Sequence, residues 1–206
     1  MSCGRNEFPI LLYSSSHLRI HIHIEIGSTK MPLSLQAETP AALVCGVMAD
    51  SEGAVLGACS RLEKTFGAMT DRSAVYDFEA FSAYYRSEMG VGLQKCFACF
   101  GDPVMPSSLA AAKLDALKVE REVARQIDGH WHRTINVDPG LVSANSLILA
   151  TTKASGHRIA IAPSLFAEVT LLFEKGKYRP LPWSYRDVQS DPVQTLLIRL
   201  RQRLLS

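Results

Sequence analysis

The sequence has little of what marks nucleic-acid-binding or membrane proteins. Its 206 residues include 22 Lys and Arg against 20 Asp and Glu, a formal charge of only +2, and the two signs are interspersed. Such a balance indicates no basic surface for nucleic acid or an anionic membrane. No apolar run approaches the roughly 20 residues that span a bilayer. We therefore predict neither a nucleic-acid nor a membrane partner.

The sequence also lacks the cysteine pattern of a secreted, disulfide-bonded protein. Five cysteines are an odd number without framework spacing, and most lie inside apolar runs. Cys96 and Cys99 have the spacing of a redox or zinc pair, but in a strand residues i and i+3 point to opposite faces, and no second pair follows. We predict reduced thiols and a cytoplasmic location.

Signatures of defined chemistry are missing as well. The chain contains no glycine-rich phosphate loop, no nucleophile elbow and no convincing metal-ligand spacing. The pairs His21/His23 and His130/His132 are interpreted as a polar strand face and a surface turn, so no metal site is predicted. The cofactor and the oligomeric state are left unknown, and whether the protein is an enzyme stays open.

Residues 1–37 are interpreted as an extension, either disordered or contributing an added strand. The segment 18–26 alternates strictly between isoleucines and polar residues, as an edge strand would. A polar, Pro-containing stretch follows it, and Met31 within that stretch is an alternative start of translation. Residues 38–206 are predicted to form a single α+β domain.

From residue 40 the pattern predicts the order β-α-β-β-α-β. The strands are expected at 41–48, 73–78, 91–100 and 134–137, with helices from Ser51 to Phe66 and from Ser108 to Ile127, and a short aromatic helix at 81–89. An extra helix near 143–150, an antiparallel meander at 158–181 and a closing helix from Pro192 follow. This predicts an α+β, ferredoxin-like fold. A doubly wound parallel sheet is the alternative, disfavoured because three strands arrive late without helices between them.

A candidate site follows from the stretch 134–153. A β-branched run stops at Asp138-Pro139-Gly140, which predicts a carboxylate at the end of a strand, where a pocket can open. We assign catalytic roles to three residues, namely Asp138, His157 and Glu168. Ligand-binding roles go to Asn136, Lys153, Arg158, Thr170, Trp183 and Tyr185. A carboxylate, a histidine and a lysine suit acid–base chemistry, while Lys153 and Arg158 suit a phosphate or carboxylate.

Ordinary structural roles compete with this assignment. Asp138 would then cap its own turn, Lys153 would end a helix, and Glu168 would pair with Arg158 across neighbouring strands.

Several phrases together resemble a known family. They are Tyr84-Tyr85-x-x-Glu88-Met89-Gly90, Asn136-x-Asp138-Pro139-Gly140, Leu149-Ala-Thr-Thr-Lys153 with His157-Arg158, Phe166-Ala-Glu-Val-Thr170, and Pro180-Leu-Pro-Trp183-x-Tyr185-x-Asp187. In this order they are similar to the bacterial and archaeal Domain of Unknown Function 4416, over about residues 40–205. The family usually has an aromatic residue where this chain has Leu141. The resemblance implies no established reaction; some members are labelled GTP-binding, which this sequence, lacking a phosphate loop, does not support.

Two functional hypotheses remain. The first is a binding protein or enzyme for a small molecule that bears a phosphate or carboxylate, with its polar site near Asp138, Lys153, His157 and Arg158. The second is a non-catalytic interaction or regulatory module that pairs through a sheet edge or through the leucine face of the closing helix. Convergence of the polar side chains in one concave pocket favours the first.

Overall fold

The first strand after the amino-terminal segment forms the centre of the sheet. The computed structural model describes residues 37–206, so the predictions for residues 1–36, including the strand at 18–26 and its histidine pair, lie outside the described residues. Every residue of β1 (Ala41–Ala49) is buried between β4 (Gln94–Val104) and β7 (Ile135–Val142), both antiparallel to it. An uninterrupted apolar run suits a strand covered on both faces.

Within residues 37–206 the main sheet has nine strands, and each pairing is antiparallel. Its order is β11-β10-β8-β7-β1-β4-β2, with β3 also beside β4 and β9 beside β10. The fold class is therefore α+β, as predicted. The other strands of this sheet are β2 (Met69–Arg72), β3 (Tyr76–Asp77), β8 (Ser146–Thr151), β9 (Ile159–Ala162), β10 (Leu165–Glu174) and β11 (Lys177–Pro180).

The helices cover both faces of the sheet. Helices α1 (Glu52–Phe66) and α3 (Leu109–Glu122) pack on one face, and α4 (Asp191–Leu205) packs on the other. The short α2 (Arg86–Met89) lies between β3 and β4. The leucine face of α4 is buried in the core, so it offers no surface to a partner, contrary to one of our hypotheses; it consists of Val193, Leu196, Leu197 and Leu200.

The extra helix predicted near 143–150 is wrong. Residues 146–151 form β8, and Ser143 closes the turn before it by accepting hydrogen bonds from the backbone N–H groups of Asn145 and Ser146. The run lacks a period of two because both faces of β8 are covered: Leu147 and Leu149 pack towards α4, and Ala150 towards α3. Two covered faces give a strand the composition of a buried helix.

The predicted end of the long helix is also wrong. Helix α3 ends at Glu122, and a separate hairpin follows, formed by β5 (Arg125–Ile127) and β6 (His130–His132). Asp128 and Gly129 at its tip have positive φ angles of 50° and 79°, as expected for an Asp-Gly hairpin turn. Of the strand predicted at 73–78, only the two residues of β3 are extended in the sheet, and β2 ends just before this stretch; the aromatic helix at 81–89 is reduced to α2.

Candidate functional site

A cavity opens where β7 and β8 separate. The two strands pair only from Gly140 to Val142 on the β7 side, so the first half of β7 has β1 alone as its neighbour. A Cβ on Gly140 would lie 2.5 Å from the Ile148 carbonyl oxygen, so only glycine permits the close approach at this junction. Pro139 lacks an N–H and is tolerated in this one-sided part of the strand. The cavity beside it has a volume of about 70 Å³.

Asp138 lies inside β7 and not at a strand end, which corrects the predicted turn. Because side chains alternate along a strand, Asp138 and Asn136 share the cavity face. The Asn136 Nδ2 donates to Asp138 Oδ2 at 2.7 Å, and the Lys113 Nζ donates to Oδ1 at 3.1 Å. Burial alone would raise the pKa of Asp138, but Lys113, Lys95 and the Asn136 hydrogen bond bring it below its usual value. The carboxylate is therefore ionised at neutral pH.

Helix α3 supplies two buried charged groups to the site. Lys113 is 3% exposed and also donates to the Val137 carbonyl at 2.8 Å. Glu120 is 5% exposed and accepts the Val137 N–H at 2.7 Å. Burial raises the pKa of Glu120. The two side chains thus form hydrogen bonds with the backbone N–H and C=O of Val137 on the side of β7 that has no neighbouring strand there.

Arg133, just before β7, was missed by the sequence-based assignment. Its Nη1 donates to Asn136 Oδ1 at 2.7 Å, and its Nη2 pairs with Glu88 of α2 at 2.8 Å. The Nη1 also lies 3.5 Å from Glu120. The buried Nε has no partner within residues 37–206, although Arg133 lines the cavity.

Glu168 anchors the opposite wall. It lies in β10 and is 3% exposed, with Oε2 accepting from Arg158 Nε at 2.7 Å and lying 3.2 Å from His157 Nε2. The other nitrogens of Arg158 donate to the Lys153 carbonyl and the Tyr185 hydroxyl. The proposed cross-strand contact between Glu168 and Arg158 is thus present, and it commits the Arg158 guanidinium to the protein.

Three of the assigned residues lie behind this wall. His157 is stacked on the Trp183 ring at 5.0 Å, and its Nδ1 is 3.0 Å from Ser155 Oγ. Trp183 donates its indole N–H to the Val169 carbonyl at 2.9 Å. Thr170 is fully buried, with Oγ1 3.5 Å from Glu168 Oε1. None of these three belongs to the cavity lining.

Lys153 follows β8 and reaches the cavity from the exposed side. Its Nζ donates to the Tyr84 hydroxyl at 2.9 Å and lies 4.6 Å from the centre of the Tyr84 ring. Within residues 37–206 it forms no salt bridge. Lys153 does not end a helix, because the residues before it form a strand.

One of the lining lysines, Lys95, belongs to a buried ion pair. Lys95 of β4 donates to Asp187 Oδ2 at 2.7 Å, and the Tyr76 hydroxyl donates to the same oxygen at 2.9 Å. Lys95 is 8% exposed and lies 5.1 Å from the ring centres of both Phe78 and Phe97. These contacts fix the segment before α4 to the sheet.

Six of the nine residues assigned from the sequence line this one cavity. They are Asn136, Asp138, Lys153, Arg158, Glu168 and Tyr185. Five cations and two carboxylates contribute to the lining, and three of those cations, namely Lys95, Lys113 and Arg133, were missed. One signal was present for α3: Lys113, Ala116 and Glu120 follow the i, i+3, i+7 spacing of a buried face.

The chemistry open to this site is polar and acid–base in kind. An ionised carboxylate, amide and ammonium groups, and tyrosine hydroxyls face a small enclosed volume. Among residues 37–206, no three His, Cys, Asp or Glu side chains are grouped so that they would hold a metal ion. Nor does that part of the chain contain a helix with the length and apolarity needed to cross a membrane.

Comparison with known proteins assigns a family and no more. No curated protein matches the sequence, and no solved structure matches it. A family model matches residues 39–204, most of the chain and nearly all of its described part. The chain belongs to the family described as Domain of unknown function (DUF4416).

Proposed function

We propose that the cavity binds a small molecule bearing a phosphate or carboxylate group, and that the protein acts on or senses that molecule. The proposal is carried by one observation: the polar residues converge, and Lys153 is the one lining cation that forms no salt bridge within residues 37–206. A cation without a carboxylate partner beside a polar cavity suits an anionic ligand.

In this proposal Asp138 faces the ligand and serves as the candidate general base. Its side chain is 29% exposed, and each oxygen uses one of its two acceptor sites on a protein donor. Glu168 and His157 serve in this proposal as positioning residues and not as catalytic ones. Glu168 accepts from Arg158, which donates to the Tyr185 hydroxyl, and His157 contacts Glu168.

The test is a thermal-shift screen against nucleotides, sugar phosphates and carboxylic acids. A ligand at 100 times its dissociation constant stabilises the folded state by about 2.7 kcal/mol, which for a chain of this size raises Tm by roughly 5–10 °C. Lys153→Gln should at least halve the shift, because a tenfold weaker ligand then stabilises by only about 1.4 kcal/mol. Lys118→Gln on the exposed face of α3 should retain the full shift. An equal shift in both variants would refute the proposal.

Two finer assignments accompany it. The ferredoxin-like interpretation is supported by the order β7-β1-β4-β2, in which α1 and α3 provide the crossovers. A cytoplasmic location is supported by four buried free cysteines, Cys45, Cys59, Cys96 and Cys99.

A further inference from the structure

Arg133 presents a buried donor with no described partner. Its two terminal nitrogens are used by Asn136, Glu88 and Glu120, whereas Nε is buried without a hydrogen bond within residues 37–206. An unsatisfied buried donor on a charged group is costly and calls for an acceptor. Because Arg133 lines the cavity, a ligand oxygen is the acceptor that the site can receive.

Lys153 lies against the same aromatic ring as Arg133. The Arg133 Cζ is 5.7 Å and the Lys153 Nζ is 5.6 Å from the centre of the Tyr85 ring. Lys153 spends one of its three donors on the Tyr84 hydroxyl, which leaves two. The two cations therefore bring at least three free donors to the part of the cavity lining around Tyr85.

This set of donors matches a phosphate better than a carboxylate. A phosphomonoester presents three acceptor oxygens and a charge of about −1.5 to −2 at neutral pH. A carboxylate presents two oxygens and a single charge. A phosphate offers one oxygen to each of the three donors, whereas a carboxylate would have to accept two of them on the same oxygen.

The Asp138 carboxylate suits a neutral donor. Asp138 keeps one acceptor site on each oxygen after binding Lys113 and Asn136. Its charge is already matched by Lys113 at 3.1 Å, so a further ammonium group would be repelled by that lysine, while a hydroxyl would form a strong hydrogen bond to the carboxylate.

We propose that the ligand is a small phosphomonoester carrying a hydroxyl group, with its phosphate bound by Arg133 and Lys153 and its hydroxyl donating to Asp138. This inference rests on the proposed function and specifies its ligand class. The cavity volume of about 70 Å³ is far below the roughly 300–1,000 Å³ of sites for drug-sized ligands, which favours a compound of a few carbons over a nucleotide.

The test compares three probes by isothermal titration calorimetry on the full chain: glycerol 3-phosphate, methyl phosphate and glycerate. We expect glycerol 3-phosphate to bind at least about tenfold more tightly than the other two, since a charge-assisted hydrogen bond contributes on that scale. Equal or tighter binding of glycerate would overturn the phosphate assignment. Equal binding of methyl phosphate would overturn the hydroxyl assignment.

Variants locate the two ends of the ligand. Asp138→Asn should bring the affinity ratio of glycerol 3-phosphate to methyl phosphate to about one, because the charged acceptor is lost. Arg133→Lys keeps the charge but removes Nε, and should weaken both phosphates about tenfold; Lys153→Gln should do the same if Arg133→Lys fails to fold. Lys118→Gln should change neither affinity.

The outcome is separable from that of the general proposal. If none of the three probes binds while the ligand screen still finds a stabiliser that depends on Lys153, the phosphomonoester assignment is wrong and the anion-binding function stands. If no stabiliser depends on Lys153, both fail.

Discussion

Replacement of Lys113 by Met tests how much the buried ion pair between Lys113 and Asp138 contributes to the free energy of unfolding. Lys113 is 3% exposed and holds Asp138 Oδ1 at 3.1 Å. Removing one partner of a buried pair costs roughly 3–5 kcal/mol. Asp138 retains 29% exposure of its side chain, so we expect the lower end, about 3 kcal/mol, or a fall in Tm of roughly 6–12 °C for a chain of this size.

The matched control lies on the same helix. Lys118 pairs with Asp115 at 2.7 Å, but its side chain is 68% exposed, so Lys118→Met should cost less than about 1 kcal/mol. Urea unfolding followed by circular dichroism measures both. Adding Asp138→Asn to Lys113→Met should recover stability, because no buried charge is then left unpaired. Equal losses in the two single variants, or no recovery in the double variant, would refute the reasoning.

The same variant has a defined pH dependence. In the native protein the pKa of Asp138 is lowered, so its contribution is present above the unfolded pKa of about 3.9 and is lost as the pH falls through the folded value. In Lys113→Met the lysine charge that lowers the pKa of Asp138 is gone, while burial still raises it, so the pKa of Asp138 in the folded state rises. The stability gap between native protein and Lys113→Met should therefore narrow as the pH is lowered from 7 towards 4. A gap that stays constant over this range would contradict the assignment of the charge effect to Asp138.

Three further predictions concern the frame of the site. Gly140→Ala should destabilise the protein by about 1–3 kcal/mol, since the added Cβ would meet the Ile148 carbonyl. Gly57→Ala should stabilise it by up to about 1 kcal/mol, because the added Cβ would have nothing within 4 Å in an exposed part of α1. Melting temperatures that change in the same direction for both variants would contradict this. Asp187→Asn should cost roughly 3–5 kcal/mol in urea unfolding because Lys95 is left buried and unpaired, and a loss below about 1 kcal/mol would show that the pair is dispensable. The four buried cysteines, which include Cys45 with its pKa raised by burial, should react with a thiol reagent only in denaturant, and rapid reaction of all four in the folded protein would exclude the buried arrangement.

The sequence itself determined the position of those helices and strands that have capping or turn residues at their ends. Helix α1 begins after Ser51, which accepts the Ala54 N–H, and ends at Gly67 with a φ of 88°, as its cap residues predict. The hairpin of β10 and β11 turns at Lys175 and Gly176, both with positive φ. Local rules suffice at these places because each signal acts within a few residues.

Tertiary structure decided the identity of β8 and the position of Asp138. β8 is apolar on both faces because α4 packs on one face and α3 on the other. Its sequence therefore has no alternation of apolar and polar residues that would mark it as a strand. Asp-Pro-Gly is a turn signal in isolation. Here it stays extended because β1 pairs along the whole of β7 and Gly140 allows β8 to approach closely.

The cavity itself was only half visible in the sequence. Polar residues from 136 to 185 could be grouped because they lie close to one another along the chain. Lys113 reaches the cavity through its contact with Asp138 of β7, and Arg133 is paired with Glu88 of α2. Lys95 is paired with Asp187, which lies 92 residues further along the chain. Ion pairs over such separations are selected by burial and packing, and the helical spacing of Lys113 marks its face of α3 without identifying its partner.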